Sequence, residues 1–147
     1  MIRGFEVCGE EYRKHLGEEI ELPIRGDRRS AGYDIKTPCD ITLQPNERKL
    51  VFTDICAYML DDEVLELYVR SSIGVKYGVV LSNGTGIIDS SYYPRNIGLP
   101  LWNTSDKVVE FKKGERIAQG IFKKYLVADD DNCLKEERDG GFGSSGK

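Results

Sequence analysis

The segment Gly86-Ile87-Ile88-Asp89-Ser90-Ser91-Tyr92 places an acid next to apolar residues, two hydroxyls and an aromatic ring. Two apolar residues precede Asp89 at a predicted hairpin, so its carboxylate could lie at the floor of a pocket. A carboxylate held there can accept a proton from a water molecule, and Tyr92 could offer its ring face to a sugar or a base. The alternative is an ordinary solvated turn aspartate beside a packing tyrosine.

A second segment, Arg70-Ser71-Ser72-Ile73-Gly74, has the residue types of a phosphate site. A guanidinium group binds two phosphate oxygens at once. Two hydroxyls follow at a predicted helix start, where backbone N–H groups add further donors. A capped helix with a surface arginine would give the same pattern.

A third segment, Lys113–Gln119, reads as a turn that leads into a strand. Simple alternation predicts that Arg116 and Ala118 share one face, opposite Ile117 and Gln119. The neutral amide of Gln119 could donate a hydrogen bond to a phosphate. A plain hairpin is the simpler alternative.

A fourth segment is Ala31-Gly32-Tyr33-Asp34-Ile35. Gly32 permits close approach of the backbone to another group. Asp34 could hold a neighbouring loop in place or act through water on a cation. A structural role is the favoured interpretation of this acid.

The end of the chain, from Arg138 to Lys147, combines an arginine, an aromatic ring and two serines with many glycines. Such a segment is too flexible to form an element by itself, and a frayed terminus is the simple interpretation. Its content also suits a strap that closes over an anion and a flat ring. We therefore expect one β-rich domain over residues 1–134 and a C-terminal arm over residues 135–147.

The elements that must position these residues are short strands, because apolar runs alternate with turn residues from Tyr33 onward. In the clearest run, Val64–Arg70, alternation places Leu65 and Leu67 on one face. A short helix is expected after Arg70, capped by Ser71 or Ser72 and ended by Gly78. The fold class is therefore all-β, a jelly-roll-like barrel or sandwich with one short helix. The predicted strands are Tyr33–Lys36, Ile41–Leu43, Lys49–Tyr58, Val64–Arg70, Val79–Leu81, Ile87–Ile88, Ile97–Asn103, Val108–Phe111 and Ile117–Val127.

Composition narrows the possible functions. The 147 residues carry a formal net charge of −4 at pH 7, which argues against broad nucleic-acid binding. We expect a cytoplasmic protein without membrane association, since there is neither a long apolar run nor a secretory signal. A single histidine, His15, and four scattered cysteines make a Cys/His zinc site or a Ser-His-Asp mechanism improbable.

Five segments, taken together in chain order, resemble the sequence motifs of a known enzyme family. AGYDI, RSSIG, NGTGIIDSSY, GERIAQ and RDGGFGSSG resemble the five motifs of the trimeric dUTP diphosphatases, the dUTPases. The resemblance implies a jelly-roll homotrimer with three active sites between subunits, each closed by a C-terminal arm. The implied reaction is Mg²⁺-assisted hydrolysis of dUTP to dUMP and pyrophosphate, which keeps uracil out of DNA and supplies dUMP for dTMP synthesis.

The resemblance also implies a role for each matched residue. Asp89 would be the general base, Tyr92 would stack on the deoxyribose, and Asp34 would support the site. Mg²⁺ would be held mainly by the substrate phosphates and water. The implied phosphate contacts are Arg70, Ser71, Ser72, Gln119, Arg138, Ser144 and Ser145, and the implied uracil contacts are Asn83, Gly86, Ile88 and Phe142.

The chain departs from the family pattern in the run Tyr93-Pro94-Arg95-Asn96, which looks longer than usual, and in Ser72, where many members have glycine. Two alternatives remain open. One is a dCTP deaminase, or a bifunctional deaminase and diphosphatase, of the same fold. The other is a regulatory, partner-binding role added to the enzyme.

Overall fold

Short strands joined by tight turns make up most of residues 1–134, the part of the chain that this computed structural model describes. One α-helix, α1 (Ser71–Tyr77), and single turns of 3₁₀ helix at Glu10–Tyr12 and Ser90–Tyr92 accompany them. The strands are β1 (Gly4–Val7), β2 (Ile24–Arg25), β3 (Tyr33–Lys36), β4 (Ile41–Leu43), β5 (Arg48–Phe52), β6 (Ile55–Tyr58), β7 (Glu63–Val69), β8 (Val79–Leu81), β9 (Gly86–Asp89), β10 (Gly98–Asn103), β11 (Val109–Phe111) and β12 (Arg116–Lys124).

The strands pair antiparallel in a five-stranded sheet, β2-β3-β12-β7-β9, a three-stranded sheet, β5-β10-β8, and two strand pairs, β1-β6 and β11-β4. Between residues 1 and 134 the sheets do not close into one barrel, so the expected all-β fold takes the sandwich form. Leu43, Leu65, Leu99 and Leu101 are among the fully buried core residues. None of the helices within the described range is long and apolar enough to cross a membrane.

Strand β7 is an inner strand of the five-stranded sheet. It pairs with β12 on one side and with β9 on the other. Leu65 and Leu67 are buried, while Glu66 and Tyr68 on the opposite face are half-exposed. The alternation predicted for this strand is therefore confirmed, and Arg70 follows directly after its last residue.

Two local predictions need correction. The run Lys49–Tyr58 forms two strands, because the chain turns between them at Asp54, whose φ is 61°. The N-cap of α1 is Arg70 rather than Ser71 or Ser72, since the N–H of Ile73 donates to the carbonyl of Arg70 at 2.9 Å. The predicted helix end is confirmed, with Gly78 in the left-handed conformation.

Candidate active site

Three neighbouring strands bring together side chains that are far apart in sequence. Asp34 in β3 is the cross-strand partner of Gln119 in β12, and Gln119 is in turn opposite Tyr68 in β7. Arg70 lies two residues beyond Tyr68, on the same face of the sheet. The register thus places Asp34, Gln119 and Arg70 in one cluster on this face.

Asp34 holds two arginines in that cluster. Its Oδ1 lies 3.3 Å from Arg70 Nε, and its Oδ2 lies 3.3 Å from Arg116 Nη1. The Asp34 side chain is 15% exposed, whereas those of Arg70 and Arg116 are 34% and 51% exposed. Each guanidinium carries five N–H donors, so both arginines keep donors directed at solvent while the carboxylate fixes their position. Such a pair suits an anion with several oxygens.

Arg116 was not among the predicted site residues. Simple alternation placed it on one face with Ala118, but the register of β12 shifts between Arg116 and Ala118. Ala118 and Ile117 are both fully buried, while Arg116 is exposed and reaches Asp34. The prediction for this face was therefore wrong, although the GERIAQ motif contains the arginine.

Gly32 makes room for the amide of Gln119. A Cβ atom added at Gly32 would lie 2.2 Å from Gln119 Oε1. The amide nitrogen, Nε2, points the other way and donates to the carbonyl of Val69 at 3.4 Å. The close backbone approach predicted for Gly32 is thus to Gln119, and it fixes where this amide can lie.

Ser71 and Ser72 open α1, directly after Arg70, and both are exposed. The helix start therefore presents two hydroxyls next to the guanidinium that Asp34 holds.

The second group of predicted residues lies on β9 and in the turns at its two ends. Gly86 pairs with Leu67, where a Cβ would come within 2.9 Å of the leucine side chain, so the strands approach closely. Ile88 is buried, and Asn83 lies in the exposed turn before Gly86. This hairpin therefore lies at the edge of the five-stranded sheet, with β9 packed closely against β7.

Asp89 ends β9 and immediately precedes a 3₁₀ turn, Ser90–Tyr92. Its Oδ1 accepts a hydrogen bond from Ser91 Oγ at 2.6 Å, and the residue is half-buried. Tyr92 packs into the core with 8% exposure, and its hydroxyl donates to the carbonyl of Asn96 at 2.6 Å. Only a small part of the Tyr92 ring is thus presented to a ligand.

Asp89 and Arg70 lie at opposite ends of β7. Asp89 pairs with Val64 near the start of that strand, and Arg70 follows its end. Arg70 lies six positions after Val64, which corresponds to about 20 Å in an extended strand. A general base must approach the reacting water within hydrogen-bond distance. One copy of residues 1–134 therefore does not bring the two groups onto one phosphate.

Among the described residues, the donor set offers no cage for a metal ion. Within residues 1–134, no three or more His, Cys, Asp or Glu side chains lie close enough to hold one. The Asp34 carboxylate is already bound to Arg70 and Arg116. An ion such as Mg²⁺ would therefore need oxygens supplied by a ligand. Arg138, Phe142, Ser144 and Ser145 lie outside the described residues.

Comparison with known proteins identifies the family. The sequence model of the dUTPase family matches residues 18–146. The chain is 46% identical over 151 residues to the deoxyuridine 5'-triphosphate nucleotidohydrolase of Lactococcus lactis, covering 99% of this chain and 98% of the relative.

Solved structures agree with this assignment. The dUTPase of Streptococcus mutans matches with a TM-score of 0.73 and 36% identity, covering 86% of this chain and 98% of that one. A mutant dUTPase from phage phi11 of S. aureus shares the fold, with a TM-score of 0.73 at 19% identity, and the match covers 95% of this chain and 100% of that one. The structure of that mutant shows the coordination of a structural Mg(II) ion. The chain described here belongs to the dUTPase family.

Proposed function

We propose that this protein hydrolyses dUTP to dUMP and pyrophosphate by attack of water on the α-phosphorus. The observation that carries the proposal is the cluster in which Asp34 holds Arg70 and Arg116 beside Gln119. It gathers cationic and amide donors on one sheet face, as a polyphosphate requires. The family membership and the names of the relatives support the substrate.

Asp89 is the proposed general base. Its carboxylate accepts a proton from the attacking water, the new bond forms from that water oxygen to the α-phosphorus, and the bond to the bridging oxygen breaks. Pyrophosphate then leaves with the bridging oxygen. Ser91, which donates to Asp89 Oδ1 at 2.6 Å, orients the carboxylate so that its other oxygen faces the water.

The phosphate chain binds to the opposite end of β7. Arg70 supplies a fork of donors, and Ser71 and Ser72 add hydroxyls beside it. Gln119 contributes its amide, and Arg116 adds a second cation near the leaving group. Positioned donors of this kind stabilise the charge that develops on the phosphate oxygens in the transition state.

The hairpin around β9 selects the nucleoside. Asn83 and the backbone at Gly86 and Ile88 read the uracil edge, where cytosine would leave buried groups unpaired. The exposed part of the Tyr92 ring contacts the deoxyribose and leaves no room for a 2'-hydroxyl. The chain thereby removes dUTP, keeps uracil out of DNA and supplies dUMP for dTMP synthesis.

The active protein is a homotrimer with shared sites. The separation of Asp89 from Arg70 by about 20 Å along β7 supports this assembly, because Arg70 of one subunit must meet Asp89 of another. The arm over residues 135–147 closes the site. In that arm, the proposed contacts are Arg138, Ser144 and Ser145 to the γ-phosphate and Phe142 to the uracil ring.

Mg²⁺ fits this site as a partner of the substrate. It would be held mainly by the substrate phosphates and water, and it would supply charge neutralisation that lowers the repulsion between the triphosphate and the carboxylate base. Arg70 and Arg116 face the same phosphates and add to that neutralisation. The residues of this chain hold the phosphate chain rather than the ion.

Pyrophosphate release from each of the four dNTPs and from UTP, with and without Mg²⁺, tests the proposal. We expect rapid release from dUTP alone, and only with Mg²⁺ present. Equal release from dCTP or UTP would contradict the proposed specificity. Ammonia released from dCTP would instead identify a deaminase of the same fold.

A further inference from the structure

A buried polar pair lies directly behind the turn that carries Asp89 and Tyr92. Asp54 is fully buried and Asn96 is 4% exposed. The side-chain oxygen of Asn96 accepts a hydrogen bond from the N–H of Asp54 at 2.8 Å, and its amide donates to Asp54 Oδ1 at 2.8 Å. Two reciprocal bonds between buried groups fix Asn96 relative to Asp54 in both position and orientation.

The same pair binds the N-terminal segment. Backbone N–H groups at residues 14–15 donate to the two carboxylate oxygens of Asp54, each at 2.8 Å, and Arg13 Nε donates at 3.1 Å. The amide of Asn96 also donates to the carbonyl of Tyr12 at 2.9 Å. Residues 12–15 are therefore tied to Asp54 and Asn96, although the family model begins only at residue 18.

Through its backbone carbonyl, Asn96 also binds the turn that carries Asp89 and Tyr92. Its carbonyl accepts the hydroxyl of Tyr92 at 2.6 Å, and the N–H of Arg95 donates to the carbonyl of Tyr92 at 3.0 Å. Ser91 in the same turn donates to Asp89. A continuous series of hydrogen bonds thus runs from the N-terminal segment through Asp54 and Asn96 to the Tyr92 ring.

A second set of contacts connects Tyr93 to the N-terminal strand β1. The hydroxyl of Tyr93 donates to Glu6 Oε2 in β1 at 2.8 Å, and its ring packs edge-on against Tyr58. The run Tyr93–Asn96 therefore has both of its terminal side chains bound to the N-terminal segment.

We propose that Asn96 and Asp54 are positioning residues for dUTP hydrolysis, which hold the Tyr92 ring and the Asp89 turn in register against the N-terminal segment. This inference rests on the proposed function, since that function gives Asp89 and Tyr92 their roles. Displacement of a reacting group by about 1 Å can lower a rate about a hundredfold. A network that only stabilised the fold would instead leave the kinetics of the folded enzyme unchanged.

Asn96→Ala tests the proposal, and Asn103→Ala is its matched control. Asn103 is also a fully buried amide, but it lies at the far end of β10 and donates to the carbonyls of residues 43, 44 and 107. We expect Asn96→Ala to lower kcat for dUTP by about 10- to 100-fold and to lower the preference for dUTP over UTP. Asn103→Ala should lose stability yet keep both kinetic values.

The inference is overturned if folded Asn96→Ala keeps the kcat and the dUTP preference of the control. Should Asn96→Ala not fold, Arg13→Ala takes its place, because the Arg13 side chain lies at the outer end of the network. It should shift the same two values in the same direction, with Arg13→Lys closer to wild type, and unchanged values would overturn the inference. A wild-type protein inactive on dUTP would refute the proposed function itself.

Discussion

At the scale of single residues, the proposed general base is Asp89. An amide cannot take the proton of the attacking water, so Asp89→Asn should lower kcat for dUTP at least about a hundredfold. Binding of dUTP should persist, because the proposed phosphate donors lie at the other end of β7. Single-turnover kinetics and equilibrium binding of dUTP separate the two effects.

The exposed Asp106 provides a control for that experiment, since Asp106→Asn removes the same charge in the loop between β10 and β11, outside the turn that carries Asp89. Its kcat should equal that of the wild type. A fast Asp89→Asn enzyme would remove this carboxylate from its proposed role.

Gly32 decides where the Gln119 amide can lie. In Gly32→Ala, the new Cβ would overlap Gln119 Oε1, and the amide is the group that must move because it ends a flexible side chain. We expect kcat/KM for dUTP to fall about tenfold, as for loss of a hydrogen bond to a charged group. The free energy of unfolding should change by less than about 1 kcal/mol.

Gly26→Ala in the same loop is the comparison, since its Cβ would meet only Ser30 Oγ at 3.9 Å. Equal kinetic losses in both variants would show that the loop as a whole, and not the amide of Gln119, is responsible.

At the scale of elements, the strands were predicted correctly where the alternation of apolar and polar residues and the flanking turn residues determine them. β3, β4 and β8 have the predicted bounds, and Leu65 and Leu67 in β7 are buried as alternation requires. The split between β5 and β6 was missed, because the partners that hold Asp54 in its turn lie some 40 positions away along the chain. No local pattern contains those contacts.

The Asp54 carboxylate anchors the N-terminal segment to this split. Burial alone would raise its pKa, but N–H groups at residues 14–15, the Asn96 amide and Arg13 outweigh burial and hold the pKa below its ordinary value. A depressed pKa stabilises the fold above the unfolded-state pKa of about 4, and that stabilisation is lost as the pH falls through the lower folded-state pKa.

Asp54→Asn should therefore lower the free energy of unfolding at pH 7 by about 3–5 kcal/mol, because Arg13 loses its buried partner. Urea unfolding of both proteins between pH 7 and pH 2 checks this expectation. The difference between them should shrink below about pH 4, as the wild type takes up a proton on Asp54. A difference that stayed constant down to pH 2 would contradict it.

At the scale of the whole molecule, the motifs predicted a set of site residues but not their positions relative to one another. Arg70 and Asp89 are 19 positions apart, and the antiparallel pairing of β7 with β9 sends them to opposite ends of one strand. Sequence order alone does not reveal that separation. The register reveals it, and it supports the proposed assembly, in which Arg70 of one subunit meets Asp89 of another.

Shared sites predict that two inactive variants restore each other. Arg70→Ala removes a phosphate donor and Asp89→Asn removes the base, so each homotrimer should be nearly inactive. In trimers reassembled from equal amounts, a site can combine Arg70 of one chain with Asp89 of another. Random assembly would make about a quarter of the sites intact. Activity near that fraction after joint unfolding and refolding, and none after simple mixing of stable trimers, is the expected result. If each site lay within one chain, no mixture would recover activity, because every chain would lack one of the two groups.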